Sequence, residues 1–276
     1  MKKLISLILI IFSSYLILIE NNQTISIIIP TFNRENLIIR SIASALNQTY
    51  TNIEVMIIDD GSIDDTKNRI KLIQDDRIRY IKLRKHKGGN YARNMGIIKA
   101  KGRYISFLDS DDIFYSYKLE KQMNNMISKK SDLDFCKIEV YKNGKFKRFI
   151  PNQDTEQKFK KVGFFEELCN GNFISTQSIL IKKKIVKQFM FNVKMPRLQD
   201  FELFLRMIKY INVSYTNEPL VKVYIHKDSI SKKRDNLIKA IKLMSFNNYN
   251  LNNVQKQKLL LYFNKLLKKK KKHKIS

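Results

Sequence analysis

Acidic residues are scarce in this chain, with 25 Asp and Glu against 53 Lys and Arg, so the places where they cluster are informative. Two clusters stand directly after apolar runs: Asp59-Asp60 and Asp109-Ser110-Asp111-Asp112. Carboxylates side by side at the end of a buried strand repel one another, and a bound cation or a donor-rich ligand relieves that repulsion. Hard oxygen ligands of this kind suit Mg2+ or Mn2+, with water or phosphate oxygens in the remaining positions. The plainer alternative is that Asp109 and Asp112 cap a following helix. Between the clusters, Lys87-Gly88-Gly89-Asn90-Tyr91-Ala92-Arg93-Asn94 sets a glycine turn at a helix start. Its backbone N–H groups and Arg93 could meet an anion there, although a Gly-Gly pair is more often a simple turn.

The elements that must position these residues alternate. Residues 25–29 and 53–58 are continuous apolar runs rich in β-branched side chains, which predicts buried parallel strands. Residues 78–83 and 104–108 predict two more strands, each reached through a helix: 34–46, then Ser62 to about Ile73, then 90–100. Ser62 with Asp65 three residues on resembles a capping box. This order predicts an α/β fold with an open, mostly parallel central sheet flanked by helices. Ligands bind such sheets beyond the carboxyl ends of the strands, where both acid clusters fall. Past Asp112 the pattern loosens. A helix at 119–127 leads to a hairpin, 135–141 and 146–150, with Asn143-Gly144 as its turn. Residues 176–181 and 221–225 are further strand candidates, and 198–210 reads as a helix.

With 276 residues, 43% hydrophobic and 11% aromatic, the chain suffices for one packed domain and is not disordered. Cys136 and Cys169 lack the spacing of a zinc site, and two cysteines exclude a disulfide scaffold. The formal net charge of +28 suggests an anionic partner, although Lys-rich coding bias explains part of it. Residues 232–276 hold 14 Lys and Arg against the single acid Asp235, which predicts a basic helical tail. At the other end, residues 4–19 carry no charge and follow Lys2 and Lys3, which predicts a short N-terminal apolar helix within residues 1–22. An uncleaved anchor and an interfacial helix both fit it. The expectation is a membrane-associated chain with its catalytic domain on the cytoplasmic side, and an anionic membrane surface as a possible partner of the tail.

Four segments, in order and spacing, resemble family 2 glycosyltransferases of the inverting, GT-A (Rossmann-like) kind. They are Ser26-Ile27-Ile28-Ile29-Pro30-Thr31-Phe32-Asn33-Arg34, then Ile57-Ile58-Asp59-Asp60-Gly61-Ser62, then Ala92-Arg93-Asn94-Met95-Gly96, then Phe107-Leu108-Asp109-Ser110-Asp111-Asp112. The resemblance covers residues 24–231, which would form one GT-A domain at 23–231. Its nucleotide-binding half would be 23–113 and its acceptor or sugar half 114–231.

The resemblance implies roles for particular residues. Pro30, Thr31, Asn33, Glu35 and Asp60 would line the base and ribose pocket. Arg93 would approach the nucleotide or its diphosphate. Asp109-Ser110-Asp111 matches the family's DxD, with Asp109 and Ser110 beside the nucleotide sugar and Asp111 on the metal. The family's base lies in an ED motif followed by Leu-x-Arg; here Gln199-Asp200-Phe201-Glu202-Leu203-Phe204-Leu205-Arg206 fits, with Gln199 in place of the usual Glu. That assigns the base to Asp200, with Glu202 in reserve. Tyr224-Ile225-His226 opens a segment resembling YRxHxxSxS, with Ile225 where Arg is common, so His226 would join the metal or contact the diphosphate.

The implied reaction moves a sugar from a nucleoside-diphosphate sugar, UDP being the expected carrier, to an acceptor hydroxyl. A Mn2+ or Mg2+ ion neutralises the leaving diphosphate while Asp200 takes the acceptor proton. The acceptor could be a glycan, a lipid-linked precursor or a protein, in surface glycan or polysaccharide synthesis. Two other readings stay open: a glycosyltransferase-like protein that binds without turnover, and a basic nucleic-acid-binding protein.

Overall fold

The computed structural model describes residues 23–226, 234–247 and 249–269. The β-branched runs form strands as their composition requires: Ile25–Thr31 (β1), Ile53–Asp59 (β2), Ile78–Lys82 (β3) and Tyr104–Phe107 (β4). Helices Ile38–Leu46 (α1), Thr66–Lys71 (α2) and Gly89–Lys99 (α3) connect them. β1 pairs in parallel with β2 and β4, and β2 with β3. Alternate residues serve opposite faces. Ile28, Met56, Ile58, Ile105 and Phe107 pack with Ala92 and Ile97 of α3, while Ile27, Ile29, Val55 and Ile57 pack with Ile38 and Ile42 of α1. Both faces are covered, which is why these strands read as unbroken apolar runs.

The second half of the sheet mixes directions. Ile113–Phe114 (β5), helix Lys118–Ser128 (α4), the hairpin Leu133–Lys142 (β6) and Lys145–Ile150 (β7), and helices Gln153–Val162 (α5) and Phe164–Asn170 (α6) follow. A 3-10 turn at Thr176–Ser178 leads into Ile179–Lys182 (β8) and helix Lys183–Phe189 (α7). Helix Gln199–Met207 (α8), a second 3-10 turn at Ile208–Tyr210, and Val213–Ile225 (β9) complete it. Among the described residues, nine strands form one sheet in the order β3-β2-β1-β4-β8-β6-β9-β5, with β7 also paired to β6. β8 runs antiparallel to β4 and β6, while β6 and β9 are parallel. The α/β architecture is thus parallel through β1–β4 and mixed beyond.

Local differences from the sequence expectation have physical causes. The helix after β2 is the short α2, with Asp65 at its N-cap and no side-chain cap hydrogen bond. Ser62 is instead engaged by its neighbours, its amide donating to Asp59 Oδ1 at 2.7 Å, so no capping box forms. Lys118 is buried at 0% exposure, its Nζ donating to Gln122 Oε1 at 2.6 Å and Ser106 Oγ at 3.1 Å. Burial pushes that ammonium down to about 8.

Helices Arg234–Phe246 (α9) and Asn253–Lys269 (α10) lie in the basic C-terminal stretch and pack against the body. Ala240, Met244, Leu259 and Phe263 join the core and Leu237 is buried, Tyr262 meets Phe201 at 5.4 Å between ring centroids, and Lys258 pairs with Glu166 at 3.0 Å. The expected membrane attachment is corrected: among the described residues no helix is long and apolar enough to cross a membrane. The apolar run at 4–19 and the lysines at 270–272 lie outside the described residues.

Gly96 sets the approach of α3 to the sheet, because a Cβ there would come within 2.5 Å of Ile28 Cγ2. Gly96→Val is expected to lower stability by about 1–3 kcal/mol through overpacking, as measured by urea denaturation. A variant as stable as the parent would show that α3 can shift freely over β1.

Candidate active site

The ends of β1 and β2 are laced together by polar contacts. The Asp60 amide donates to Thr31 O at 2.8 Å, and the Asn33 amide donates to Ser62 Oγ at 2.9 Å. Asn33 adopts a left-handed φ of 51°, which Asn tolerates, and its Oδ1 accepts from the Ile63 amide at 3.0 Å. Glu35 Oε2 accepts from the Asp65 amide at 2.8 Å. Asp59 is buried, receiving the Ser62 amide and the Tyr80 hydroxyl.

Asp60 is buried too, and both its oxygens are engaged. They accept from the backbone amides of Lys87 at 2.8 Å and Gly88 at 2.7 Å, and His86 Nδ1 lies 2.9 Å away. The φ of 95° at Gly88 belongs to glycine and belongs to the turn that brings these amides to one carboxylate. The His86 ring lies against Phe32, 4.0 Å between centroids. Asp60 therefore holds the loop 86–88, while Thr31 Oγ1 is buried without a partner.

The second acid cluster draws donors from three distant elements. Arg93 Nη2 donates to Asp109 Oδ1 at 2.6 Å. Gln177 Nε2 bridges two carboxylates, at 2.6 Å from Asp109 Oδ2 and 2.9 Å from Asp112 Oδ2. The Tyr224 amide donates to Asp112 Oδ1 at 2.9 Å. Asp112 leads into β5 rather than a helix, so the helix-cap alternative does not hold for it. Burial, then the charge of Asp109, raises the pKa of Asp111, and the same causes together with Asp111 raise Asp112 well above the carboxylate range. Asp111 Oδ2 lies 3.7 Å from His226 Nε2, and Arg40 Nη2 donates to the Asp111 carbonyl at 2.5 Å. Ser110 is buried between these acids.

Asp200 sits in the first turn of α8, after Leu198 at a left-handed φ of 59°. Its Oδ1 accepts from the Phe201 amide at 2.8 Å. Burial raises its pKa, while the Phe201 amide, the Asn172 side chain and the charge of Arg93 oppose the rise. Arg93 is thus bonded to Asp109 and electrostatically coupled to Asp200, and its buried Nε has no partner. Glu202, the reserve acid, is buried and bonded to Arg206 at 2.8 and 2.9 Å. Arg206 also donates to the carbonyls of Phe189 at 2.6 Å and Met190 at 2.7 Å. Glu202 is therefore engaged in holding a turn.

The fold and the comparisons define a glycosyltransferase. The chain belongs to glycosyl transferase family 2, whose sequence profile matches residues 26–190. An uncharacterized glycosyltransferase of Rickettsia bellii is 36% identical over 215 residues, covering 76% of this chain. The chain spans 31% of that relative's length. The UDP-Glc:alpha-D-GlcNAc-diphosphoundecaprenol beta-1,3-glucosyltransferase WfgD of Escherichia coli is 32% identical over 220 residues, 78% of this chain and 82% of WfgD. Among solved structures, Staphylococcus aureus TarS in complex with UDP-GlcNAc superimposes with a TM-score of 0.70 at 18% identity, over 87% of this chain and 72% of TarS, a likeness of fold.

Sequence reasoning did not find Gln177 or Asn172. The available signal was slight: a polar stretch, Ser175-Thr176-Gln177-Ser178, placed ahead of a buried strand. Gln177→Leu leaves the buried Asp112 and the half-buried Asp109 without their shared donor and is expected to cost about 1–3 kcal/mol of stability at neutral pH. Gln177→Glu adds a fourth carboxylate to the cluster and should cost at least as much. Urea denaturation reads both, and unchanged stability in the pair would remove the bridge from any organising role.

Proposed function

We propose that this chain transfers a sugar from a nucleoside-diphosphate sugar, with uridine diphosphate as the carrier, to a hydroxyl of a lipid-linked glycan acceptor in surface glycan synthesis. The observation that carries the reading is Arg93, bonded to Asp109 at 2.6 Å in the loop that also holds Asp111 and Asp112. A leaving diphosphate is anionic, and the Arg93 guanidinium beside Asp109 offers a cation to it. The substrate named for WfgD supports a UDP-sugar donor and a diphospholipid-linked acceptor.

In this reading residues 23–113 bind the nucleotide and 114–231 the acceptor, with 232–276 as a basic helical extension. Pro30 and Thr31 wall the base and ribose pocket. Asn33, Glu35 and Asp60 shape it through the loops they tie down, and Asp109 and Ser110 adjoin the sugar nucleotide. Asp111 and His226 fit a divalent cation, Mn2+ or Mg2+, offering a carboxylate oxygen and an imidazole nitrogen 3.7 Å apart. Among the described residues no group of three or more His, Cys, Asp or Glu is disposed to hold an ion alone, so water and phosphate oxygens would complete its shell. When bound, the cation would neutralise charge on the leaving diphosphate. Asp200 accepts the proton of the attacking hydroxyl, and a single displacement inverts the anomeric centre.

The test is nucleotide release by the full-length protein from a panel of UDP-, GDP- and dTDP-sugars with Mn2+. Release from one donor, abolished by EDTA and by Asp111→Asn, is expected. Asp200→Asn should lower kcat by roughly 10²–10⁴-fold with the donor KM little changed. A donor that neither binds nor turns over would sink the reading and favour a protein that has lost its catalysis.

Because the base acts deprotonated and burial raises the pKa of Asp200, kcat/KM should rise with pH through an apparent value above the ordinary aspartate pKa of about 3.9. That acid limb should vanish in Asp200→Asn; an identical limb in the variant would assign the titration to another group.

A further inference from the structure

Helix α10 lies well beyond residue 190, where the match to the family profile ends, yet it packs beside the acid proposed as the base. Two contacts fasten it to α6: Gln255 Nε2 donates to Glu166 Oε1, and Lys258 Nζ lies 3.0 Å from Glu166 Oε2. One turn further along the same face stands Tyr262. Its ring occupies the space a side chain at Gly171 would need, since a Cβ there would lie 2.9 Å from Tyr262 Cε2. The same ring meets Phe201 edge-on at 5.4 Å between centroids, and Phe263 meets Phe201 at 6.5 Å. Tyr262 therefore packs on the residue before Asn172 and on the residue after Asp200.

Asn172 and Phe201 are the donors to Asp200. The Phe201 amide donates to Asp200 Oδ1 at 2.8 Å. Asn172 Oδ1 accepts from the Ile174 amide at 3.3 Å, while the Asn172 side chain donates to the Asp200 carboxylate. The backbone amide of Asn172 donates in turn to the Tyr262 hydroxyl. A chain of hydrogen bonds thus runs from Tyr262 through Asn172 to Asp200, and the ring braces it from both sides. The charges acting on Asp200 are those of Arg93 on α3 and Arg197 in the loop before α8. Burial raises the Tyr262 pKa above the ordinary tyrosine value, so its contribution near neutral pH is that of an uncharged hydroxyl.

An aspartate side chain turns about two soft torsions, so a base on the first turn of a helix must have its rotamer held by neighbours. We propose that Tyr262 is a positioning residue for Asp200, acting through Asn172, and that the basic C-terminal helix is thereby part of the active site. The assignment rests on Asp200 being the base in the glycosyltransferase reading above.

The pH profile of kcat/KM, followed by nucleotide release with the full-length protein and the donor it accepts, tests this role. Tyr262→Phe keeps the ring and removes the hydroxyl that holds the Asn172 amide. A carboxylate that loses a hydrogen-bond donor has its pKa raised, and the base acts deprotonated. The acid limb should therefore move to higher pH by about 0.5–1, lowering kcat/KM about three- to tenfold below the limb. Well above it the variant should approach the parent, with the donor KM unchanged. Gly171→Ala, which displaces the ring, should move the limb in the same direction. Leu261→Gln, on the 70% exposed side of α10, should leave the profile as it is. A limb at the parent's pH in Tyr262→Phe would overturn the proposal. So would a loss of rate that high pH does not restore, because a merely loosened fold behaves that way. Asp200→Asn, measured alongside, separates the outcomes. A limb that it abolishes but Tyr262→Phe does not move removes the Tyr262 role alone. A parent without turnover, or a limb that survives Asp200→Asn, removes the reading on which that role rests.

Discussion

Carboxylates crowded into a protein interior are unfavourable unless donors or cations are shared among them, and the loop after β4 concentrates three. Arg93 reaches Asp109 from α3, Gln177 reaches Asp109 and Asp112 from the turn before β8, and the amide of Tyr224 reaches Asp112 from the end of β9. The parallel and mixed halves of the sheet therefore meet at this loop. Removing any one contributor leaves a carboxyl group of this loop without its partner, which ties the order of the loop to the assembly of the whole sheet.

α3 extends the same dependence to the acid proposed as the base. Asn90 Nδ2 donates to the carbonyls of Asn192 and Met195, each at 3.0 Å, and Asn94 exchanges hydrogen bonds with the backbone of Phe191. These contacts fasten the segment that leads into α8. From the far side, Arg206 joins Glu202 to the turn at Phe189 and Met190. Asp200 is held between two fastened segments, and the same helix that carries Asn90 and Asn94 carries Arg93, bonded to Asp109. Rigid placement of this kind is what a proton acceptor requires, since its reach is a single hydrogen bond.

The charge of the chain is handled differently from place to place. Lys118 is buried and satisfied by Gln122 and Ser106, with Gln122 in turn donating to Asp134 Oδ1 at 2.9 Å. In α10, Lys258 is paired with Glu166 while Leu259 and Phe263 enter the core, so part of the basic C-terminal stretch is structural. The exposed lysines of the β6–β7 hairpin, Lys142, Lys145 and Lys147, have neither role. Net charge alone does not distinguish these three uses, because it counts a buried ammonium, a paired one and a solvated one alike.

Much of the first half was legible in the residues themselves. Continuous Ile and Val runs can be satisfied by burial on both faces, so residues 25–29 and 53–58 declared parallel strands, and acids placed at their carboxyl ends declared a site. The Asn143-Gly144 turn declared its hairpin in the same way, through the positive φ that both residues adopt. The second half was less legible, since antiparallel partners such as β8 and the length of β9 depend on neighbours far away in sequence. Asp60 and Glu202 both stand as candidate acids in the sequence, yet both are engaged internally. Gln177 has no local signature, because an amide becomes an organiser through the two carboxylates it meets. The sequence by itself determined the strands and helices of the first half, the carboxylate clusters and the family, all properties of short segments. Tertiary structure alone decided which acids share donors, that Arg93 bonds Asp109, and that the basic C-terminal stretch contributes to the core. Those are pairings across tens of residues, and burial and charge fix them only once the chain has closed.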